Sequence, residues 1–335
     1  MKGRRVALAL AFVAAATALP AKAQTVPRVL VASASVRMTS SPATATTAIA
    51  HCGSGTPLIG GGMLVGRVNP AVPSTSPALR GKGSYPSDME GAPVVDATAD
   101  PVAWSATANF GAEIEVGNQV TSLALCTTRA FDQRVVVSGS VNAPIQTGTG
   151  QVTVTCPPGT LIVGGGALAT PPGAPALKPV GMYPSDAAGN MLLDGSVNAT
   201  SWTAVASTVG GLSNTTTAYA VCAAGEGLAT RVARVDAPGP RLARTTTTTT
   251  VGCGTDSLIG GGVLADRLVG TVQQGVHLRG SYPSDLSGVP ALAGTAHPAA
   301  WSAIVSSGGQ ASPNTQAHVF ALCVVEPVPP PPPAA

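Results

Sequence analysis

The sequence predicts an all-β protein made of three homologous units. A pattern of a cysteine, a triple glycine, Tyr-Pro-Ser-Asp, a tryptophan and a second cysteine occurs three times in 335 residues. The last two extended segments of each copy alternate with the period of two expected for a half-buried strand, as in the closing segment, where Ala218, Ala220 and Cys222 share one side and Tyr219 and Val221 the other. No segment sustains a helical period. The 40 glycines and 30 prolines also disfavour long helices. A repeat of this length defines the architecture before any single residue is interpreted.

The three copies share five markers. These are Cys52, Gly60 to Gly62, Tyr85 to Asp88, Trp104 and Cys126; Cys156, Gly164 to Gly166, Tyr183 to Asp186, Trp202 and Cys222; and Cys253, Gly260 to Gly262, Tyr282 to Asp285, Trp301 and Cys323. The tyrosine and tryptophan are 19 residues apart in every copy, whereas the glycine-to-tyrosine interval is 25, 19 and 22 residues. The constant tyrosine-to-tryptophan spacing predicts a hairpin of fixed structure. The variable glycine-to-tyrosine spacing predicts a surface loop that tolerates insertions and deletions.

Each unit begins before its first cysteine. A strand-like segment starting at Arg28, Arg134 or Arg231 precedes that cysteine by 22 to 24 residues. The units therefore span 28–126, 134–222 and 231–323. The threonine run 245–250 aligns with the Val-Thr-Val segment of the second unit, and its β-branched residues predict a strand. Six extended segments are expected in each unit.

Two layouts satisfy this pattern. Each unit can form its own antiparallel β-sandwich or Greek-key domain, or the three can share sheets around a pseudo-threefold axis. Separators of only seven and eight residues favour close packing between units. Aromatic residues are 3% of the chain, so each core must consist of aliphatic side chains around one tryptophan.

The two ends of the chain differ from the repeat. Residues 1–23 resemble a secretory signal peptide: Lys2, Arg4 and Arg5 precede an apolar run over 6–19, and a small-residue cleavage site precedes Gln24. The run of 14 residues is shorter than the roughly 20 that a transmembrane helix needs. We expect a secreted or periplasmic protein with no transmembrane segment. The proline-rich tail, 324–335, should be polyproline II outside the fold.

The net charge of +3 is misleading for the mature chain. Four of the 18 basic residues lie in the signal segment, which leaves 14 basic against 15 acidic residues, a charge of about −1. A nucleic-acid-binding protein normally carries a basic surface. Nucleic acid is therefore not an expected partner.

Six cysteines in an exported chain indicate a disulfide framework. If the three units fold alike, the bridges are Cys52–Cys126, Cys156–Cys222 and Cys253–Cys323. Zinc is the competing interpretation, but the chain contains no Cys-x-x-Cys pair and no cysteine–histidine cluster. No metal site is predicted.

The triple glycines admit two interpretations. A phosphate-binding glycine loop opens a helix and carries a lysine, and neither feature follows these glycines. Three glycines in a strand indicate a bulge, positive φ values or close approach of another group. We favour packing of the tryptophan ring on a surface that lacks Cβ atoms.

The Tyr-Pro-Ser-Asp element also has two interpretations. Proline fixes φ, and serine and aspartate bond their own backbone, so the element is typical of a turn beside a core tryptophan. Alternatively, the aromatic residues form a sugar-stacking platform with the aspartates as acceptors. The candidate ligand-binding residues are then Tyr85, Asp88, Tyr183, Asp186, Tyr282 and Asp285.

The repeat offers no catalytic set. His51, His277, His297 and His318 occupy non-equivalent positions, so no Ser-His-Asp triad can repeat. The repeated aspartates lie in a turn without a second carboxylate, unlike the pair that hydrolyses glycosides. We predict no catalytic residues, no cofactor and no enzyme activity.

The second copy carries the clearest resemblance to known sequences. Its segment from Cys156 through Pro-Pro-Gly-Thr to Gly164–Gly166 is similar to a repeat in secreted proteins of high-GC bacteria, which likewise continue through Pro-Ser, Trp-x-Ala and a final cysteine. That resemblance covers nearly the whole mature chain; it implies export and a β-rich fold and transfers no active residues. A looser likeness to the vitelline-membrane outer-layer β-prism implies a pseudo-threefold arrangement.

Together these features favour a secreted, non-catalytic β-repeat protein. It would be structural or would bind a glycan or another cell-envelope component through the loops between the triple glycine and Tyr-Pro-Ser-Asp. The alternative is a secreted hydrolase with its site at a seam between repeats. An enzyme's site should break the repeat, whereas a multivalent binder should preserve its site in each unit.

Overall fold

A computed structural model describes residues 28–39, 41, 44–67, 78–111, 116–128, 131–145, 147–209, 213–267, 275–309 and 314–325. The predicted signal segment and residues 326–335 of the predicted tail lie outside the described residues. Every regular element in the described part is a β-strand, which confirms the all-β class.

Each unit contains six strands, as the sequence predicts. Unit 1 has β1 Val29–Arg37, β2 Thr46–His51, β3 Leu58–Arg67, β4 Leu79–Ser87, β5 Ala103–Phe110 and β6 Asn118–Thr127. Unit 2 has β7 Gln133–Val141, β8 Thr147–Thr155, β9 Leu161–Thr170, β10 Lys178–Ser185, β11 Ser201–Val209 and β12 Thr215–Ala224. Unit 3 has β13 Thr230–Pro238, β14 Thr246–Gly252, β15 Ser257–Arg267, β16 Val276–Ser284, β17 Ala300–Ser307 and β18 Thr315–Val324. The threonine run thus forms most of β14, and β18 reaches one residue into the predicted tail.

Within a unit the strands form two antiparallel layers. In unit 1 these are β1-β6-β3 and β4-β5-β2, which pack face to face as a small sandwich. The disulfide Cys52–Cys126 joins the end of β2 to β6 and therefore ties one layer to the other. Cys156–Cys222 and Cys253–Cys323 do the same in their units, so the predicted bridges are confirmed.

The layers of neighbouring units join edge to edge. Strand β4 of unit 1 pairs with β9 of unit 2, β10 of unit 2 with β15 of unit 3, and β16 of unit 3 with β3 of unit 1. The result is three six-stranded sheets, each shared by two units, in a closed ring. The two layouts that the sequence left open are therefore combined: each unit is a sandwich, and the three sandwiches close around a pseudo-threefold axis.

The first and third glycines of each triplet lie between units. A Cβ on Gly60 would lie 3.3 Å from the Gly164 Cα, and a Cβ on Gly260 would lie 3.3 Å from the same atom. The third glycine faces the tyrosine strand of a neighbour: a Cβ on Gly62 would lie 2.8 Å from the Tyr282 Cα. Side chains at these positions would hold the units apart, because the contacts are with backbone atoms.

The middle glycine lies inside its own unit. A Cβ on Gly165 would overlap the ring of Trp202, and Gly61 and Gly261 have the same relation to Trp104 and Trp301. The predicted packing of glycine on tryptophan is thus confirmed. A bulge accompanies each triplet, but none of these nine glycines, all of them described, has a positive φ.

The closing strand differs from the half-buried pattern expected of it. Ala218, Ala220 and Cys222 face the core, yet Tyr219 and Val221 on the opposite side are also buried. Tyr219 packs with Tyr85, Val136 and Leu168, and Val94 covers this small cluster. A loop of unit 1 therefore buries the outer face of a unit 2 strand.

Candidate functional site

The tyrosine of each Tyr-Pro-Ser-Asp element is buried. Tyr85, Tyr183 and Tyr282 are at most 4% exposed. Their hydroxyls donate to the carbonyls of Gly91, Gly189 and Gly288, six residues further along, at 3.1 to 3.3 Å. Burial raises the pKa of Tyr183 and Tyr282 to about 12. The rings pack inside the protein, which is the arrangement that the turn interpretation describes.

The aspartate of each element closes the turn. The Asp88 Oδ1 accepts hydrogen bonds from the backbone N–H of Glu90 and Ala92 at 3.0 and 2.8 Å. The same two bonds occur at Asp186 and Asp285. A side-chain hydrogen bond from Asn190 holds the pKa of Asp186 below its usual range, and Ser287 acts in the same way on Asp285. The carboxylates remain at the surface but serve the local backbone.

The interval between tyrosine and tryptophan also joins units. The Ala97 N–H donates to Val136 O, and the Val136 N–H donates to Thr98 O, both at 2.9 Å. Equivalent bonds run from unit 2 to β13 and from unit 3 to β1. The constant 19-residue spacing is explained by this second role, since an insertion would displace the contact with the next unit.

One position in this interval has a positive φ in all three units and explains the presence of His297. Asp100, Asn198 and His297 are equivalent and have φ values of 49°, 53° and 50°. Asparagine, aspartate and histidine are the non-glycine residues enriched in this left-handed region. His297 therefore occupies a conformational position of the repeat.

The remaining histidines lie in different surroundings. His51 is exposed, whereas His277 is fully buried. The His318 Nδ1 lies 2.8 Å from the Asp236 Oδ1 and 3.1 Å from the Arg234 Nη2. Arg234 also forms a salt bridge with Asp236, so the three side chains form one hydrogen-bonded network. The structure does not bring the four histidines together.

Each interval between tyrosine and tryptophan contains at least two exposed apolar side chains, and one of these positions is exposed and aliphatic in all three units. Val95, Leu193 and Leu292, each ten residues after its tyrosine, are 73%, 72% and 51% exposed. Single exposed aliphatic residues are common, but here the exposure is repeated in all three units. This set is called the aliphatic triplet below.

A second unusual group lies where strands β4, β10 and β16 approach one another. It consists of Arg80, Lys82, Lys178, His277 and Arg279, and is called the basic cluster. Desolvation, then the charges of Arg80 and Lys178, hold the pKa of Lys82 well below its usual range. Desolvation also lowers the pKa of Lys178 to about 7.

Sequence reasoning missed the basic cluster because its residues differ in type between units. The sequence signal that could have revealed the cluster is a common spacing: each basic residue lies three or five positions before the tyrosine of its unit. In a strand entering a buried tyrosine, a lysine, a histidine or an arginine at those positions is unexpected.

Comparisons with known proteins do not identify a family for this chain. A scan against protein-family models finds no match, and neither does a search of curated proteins. The structure contains no helix long and apolar enough to cross a membrane among the residues it describes. The three disulfides fit an extracellular or periplasmic protein.

Proposed function

We propose that this chain is an exported, non-catalytic protein of the cell envelope that binds a glycan or another envelope component through equivalent surfaces of its three units. The aliphatic triplet carries the proposal. The tyrosines, tryptophans and triple glycines are used by the scaffold, whereas Val95, Leu193 and Leu292 repeat without a structural need for exposure.

Three equivalent contacts around a ring suit multivalent binding. Linking weak sites raises overall avidity by roughly 10² to 10⁴ without any new contact, provided the geometry allows simultaneous engagement. Asp88, Asp186 and Asp285 belong to the same intervals and are exposed hydrogen-bond acceptors. The tyrosines contribute by holding the turn.

The test compares two sets of serine substitutions. Wild-type protein and the triple variant Val95→Ser, Leu193→Ser, Leu292→Ser are applied to a glycan array and to purified envelope fractions. The matched control is Leu242→Ser, since Leu242 is 69% exposed and stands outside the intervals. We expect the triple variant to fold and to lose binding, and the control to retain it.

Turnover is assayed on the same samples with ester, glycoside and peptide substrates. Binding without turnover supports the proposal. Hydrolysis that purifies with the protein and survives in the triple variant would favour the seam hydrolase instead.

A further inference from the structure

Each of the three sheets has one covered edge and one open edge. The covered edges are β1, β7 and β13, and each of them forms a β-bridge with the tyrosine-to-tryptophan interval of a neighbouring unit. The open edges are β2, β8 and β14, and each of these pairs with a single strand among the described residues. An open edge presents unpaired N–H and C=O groups, which can pair with a strand of another chain.

The open edge of β14 lacks the features that normally protect an edge strand. Residues 245–250 are all threonine, without a charge, a glycine or a proline. The equivalent strand β8 contains Gly148 and Gly150, and β2 contains Ala48 and Ala50, which are residue types of low β-propensity. Threonine has high β-propensity, so β14 is the edge best suited to accept another strand.

Alternate threonines of β14 direct their backbone groups away from the sheet. The Ser307 N–H donates to the Thr245 carbonyl at 2.9 Å, so the odd-numbered residues of β14 are those that bond to β17. The N–H and C=O groups of Thr246, Thr248 and Thr250 therefore point to the open edge. Within the described part of the chain, these backbone groups have no hydrogen-bond partner.

A turn of unit 3 lies over the outer face of β14 and adds apolar surface beside the edge. A Cβ on Gly252 would lie 2.8 Å from the Leu286 Cδ2, and a Cβ on Gly288 would lie 3.7 Å from the Thr248 Cγ2. Leu286 is 71% exposed, and Val289 in the same turn is 59% exposed. The positions equivalent to Leu286 and Val289 are Met89 and Ala92 in unit 1 and Ala187 and Asn190 in unit 2. Unit 3 alone therefore combines an unprotected edge with two large aliphatic side chains in the turn beside it.

The edge of β14 is complementary to itself. When two copies approach antiparallel with a twofold axis at Thr248, Thr246 of each copy pairs with Thr250 of the other. Each such pair exchanges two backbone hydrogen bonds, and threonine pairs of this kind stabilise sheets. The next outward pair sets Arg244 against Gly252, so no like charges meet across the axis.

The chain's own tail is a poorer occupant of this edge. Residues 327 and 329–333 are proline, and proline has no N–H to donate to a β-ladder. A second copy of β14, in contrast, supplies one donor and one acceptor at every outward-pointing threonine.

We propose that two copies of this chain associate through β14 by antiparallel strand addition. The two six-stranded sheets then continue across the twofold axis as one sheet, with Leu286 and Val289 of each copy beside the new ladder. One short ladder buries less surface than an obligate interface, so the dimer is reversible and forms at about 10 to 100 μM. This edge is separate from the aliphatic triplet and does not depend on the function proposed above.

The test measures the mass in solution of the mature chain with its disulfides intact. Sedimentation equilibrium from micromolar to millimolar concentration should show a reversible monomer–dimer equilibrium and no larger species. Thr248→Lys should make the protein monomeric, because the two ammonium groups would face each other across the twofold axis. The matched control is Gln151→Lys, at the equivalent and also exposed position of β8. It should dimerise as the wild type does.

A second pair of variants tests the apolar contact. Leu286→Ser should weaken dimerisation about tenfold, the effect expected when one aliphatic side chain is no longer buried. Met89→Ser is the matched control, because Met89 occupies the same turn position in unit 1 and is 55% exposed. It should leave the dissociation constant unchanged.

A cross-link identifies the strand that pairs. Thr248→Cys should form a disulfide-linked dimer under mild oxidation, since paired Cα atoms in such a ladder lie about 5.5 Å apart, a distance that a disulfide spans. Gln151→Cys should remain monomeric under the same conditions.

Several results would overturn the proposal. A wild-type protein that stays monomeric throughout the concentration range decides against it even if the variants fail to fold. Equal dimerisation of folded Thr248→Lys and the wild type would place the contact elsewhere. Loss of the dimer in Gln151→Lys would contradict the choice of β14, and growth into filaments would contradict a closed pair.

Discussion

Gly164 lies against Gly60 where units 1 and 2 meet at the axis of the ring. A Cβ on Gly164 would lie 2.7 Å from the Gly60 Cα and would overlap the Ile59 carbonyl. Both obstacles are backbone atoms of another unit, so they cannot move aside as a flexible side chain can. The ring therefore depends on glycine at this position.

Gly164→Ala should destabilise the whole protein by about 3 kcal/mol, because the added methyl group overpacks a backbone contact. Urea unfolding followed by circular dichroism measures this change. Gly66→Ala is the control, since Gly66 lies on β3, the strand that carries Gly60, and a Cβ on Gly66 would meet no atom within 4 Å. If the two variants have equal stability, the axial contact is not as described.

Gly165→Ala and Trp202→Leu should be strongly coupled. Each change alone should cost about 3 kcal/mol, the first by overlap with the ring and the second by the cavity it leaves. In the double variant the smaller leucine leaves room for the methyl group, so the cost should be less than the sum by about 1 to 3 kcal/mol. A double-mutant cycle in urea gives this coupling energy. Additive costs would show that Trp202 does not pack on Gly165.

Removal of the unit 2 disulfide tests how much the bridges contribute. Cys156→Ala with Cys222→Ala opens a loop with a sequence separation of 66 residues. The chain-entropy model predicts that this disulfide stabilises the protein by about 4 kcal/mol.

Non-reducing peptide mapping of the wild type should show three bridges, each within one unit. A bridge between units would contradict the strand pairing.

The burial of Lys178 in the basic cluster predicts how stability depends on pH. The pKa of Lys178 is lowered to about 7, below the value of its unfolded form, so the unfolded state binds more protons above pH 7. Stability should therefore rise with pH from about 7 to 10, at up to about 1.4 kcal/mol per pH unit for this one group. Above pH 10 the raised pKa values of Tyr183 and Tyr282 act in the opposite direction.

Lys178→Met should flatten this rise, and chemical denaturation at several pH values measures it. Arg241→Gln is the control because Arg241 is exposed. A wild-type stability that stays level or falls between pH 7 and 10 would contradict the burial of Lys178.

Much of the fold followed from the sequence because the repeat aligned its determinants. The six strands, the disulfides, the strand through the threonine run and the packing of Gly165 on Trp202 all repeat. Closure of the ring could not be predicted from the sequence, because the edge-to-edge strand pairing at each junction involves only two residue pairs, such as Gly83 with Leu168 and Ser84 with Ala167. Such short pairings leave no periodic signal.

The functional surfaces were harder to predict for two physical reasons. A tyrosine followed by Pro-Ser-Asp suits both a buried turn and an exposed platform, and only the burial of Tyr183 favours the turn. The basic cluster combines residues from three units whose identities differ. Its members become neighbours only when β4, β10 and β16 meet at the axis.

Differential scanning calorimetry of the mature chain tests most directly whether the three units form one ring. Shared sheets and a common axis predict a single transition with equal calorimetric and van't Hoff enthalpies. Gly164→Ala, although confined to unit 2, should lower the temperature of that entire transition. Separate transitions, with only one of them shifted by Gly164→Ala, would show that the units fold as independent domains.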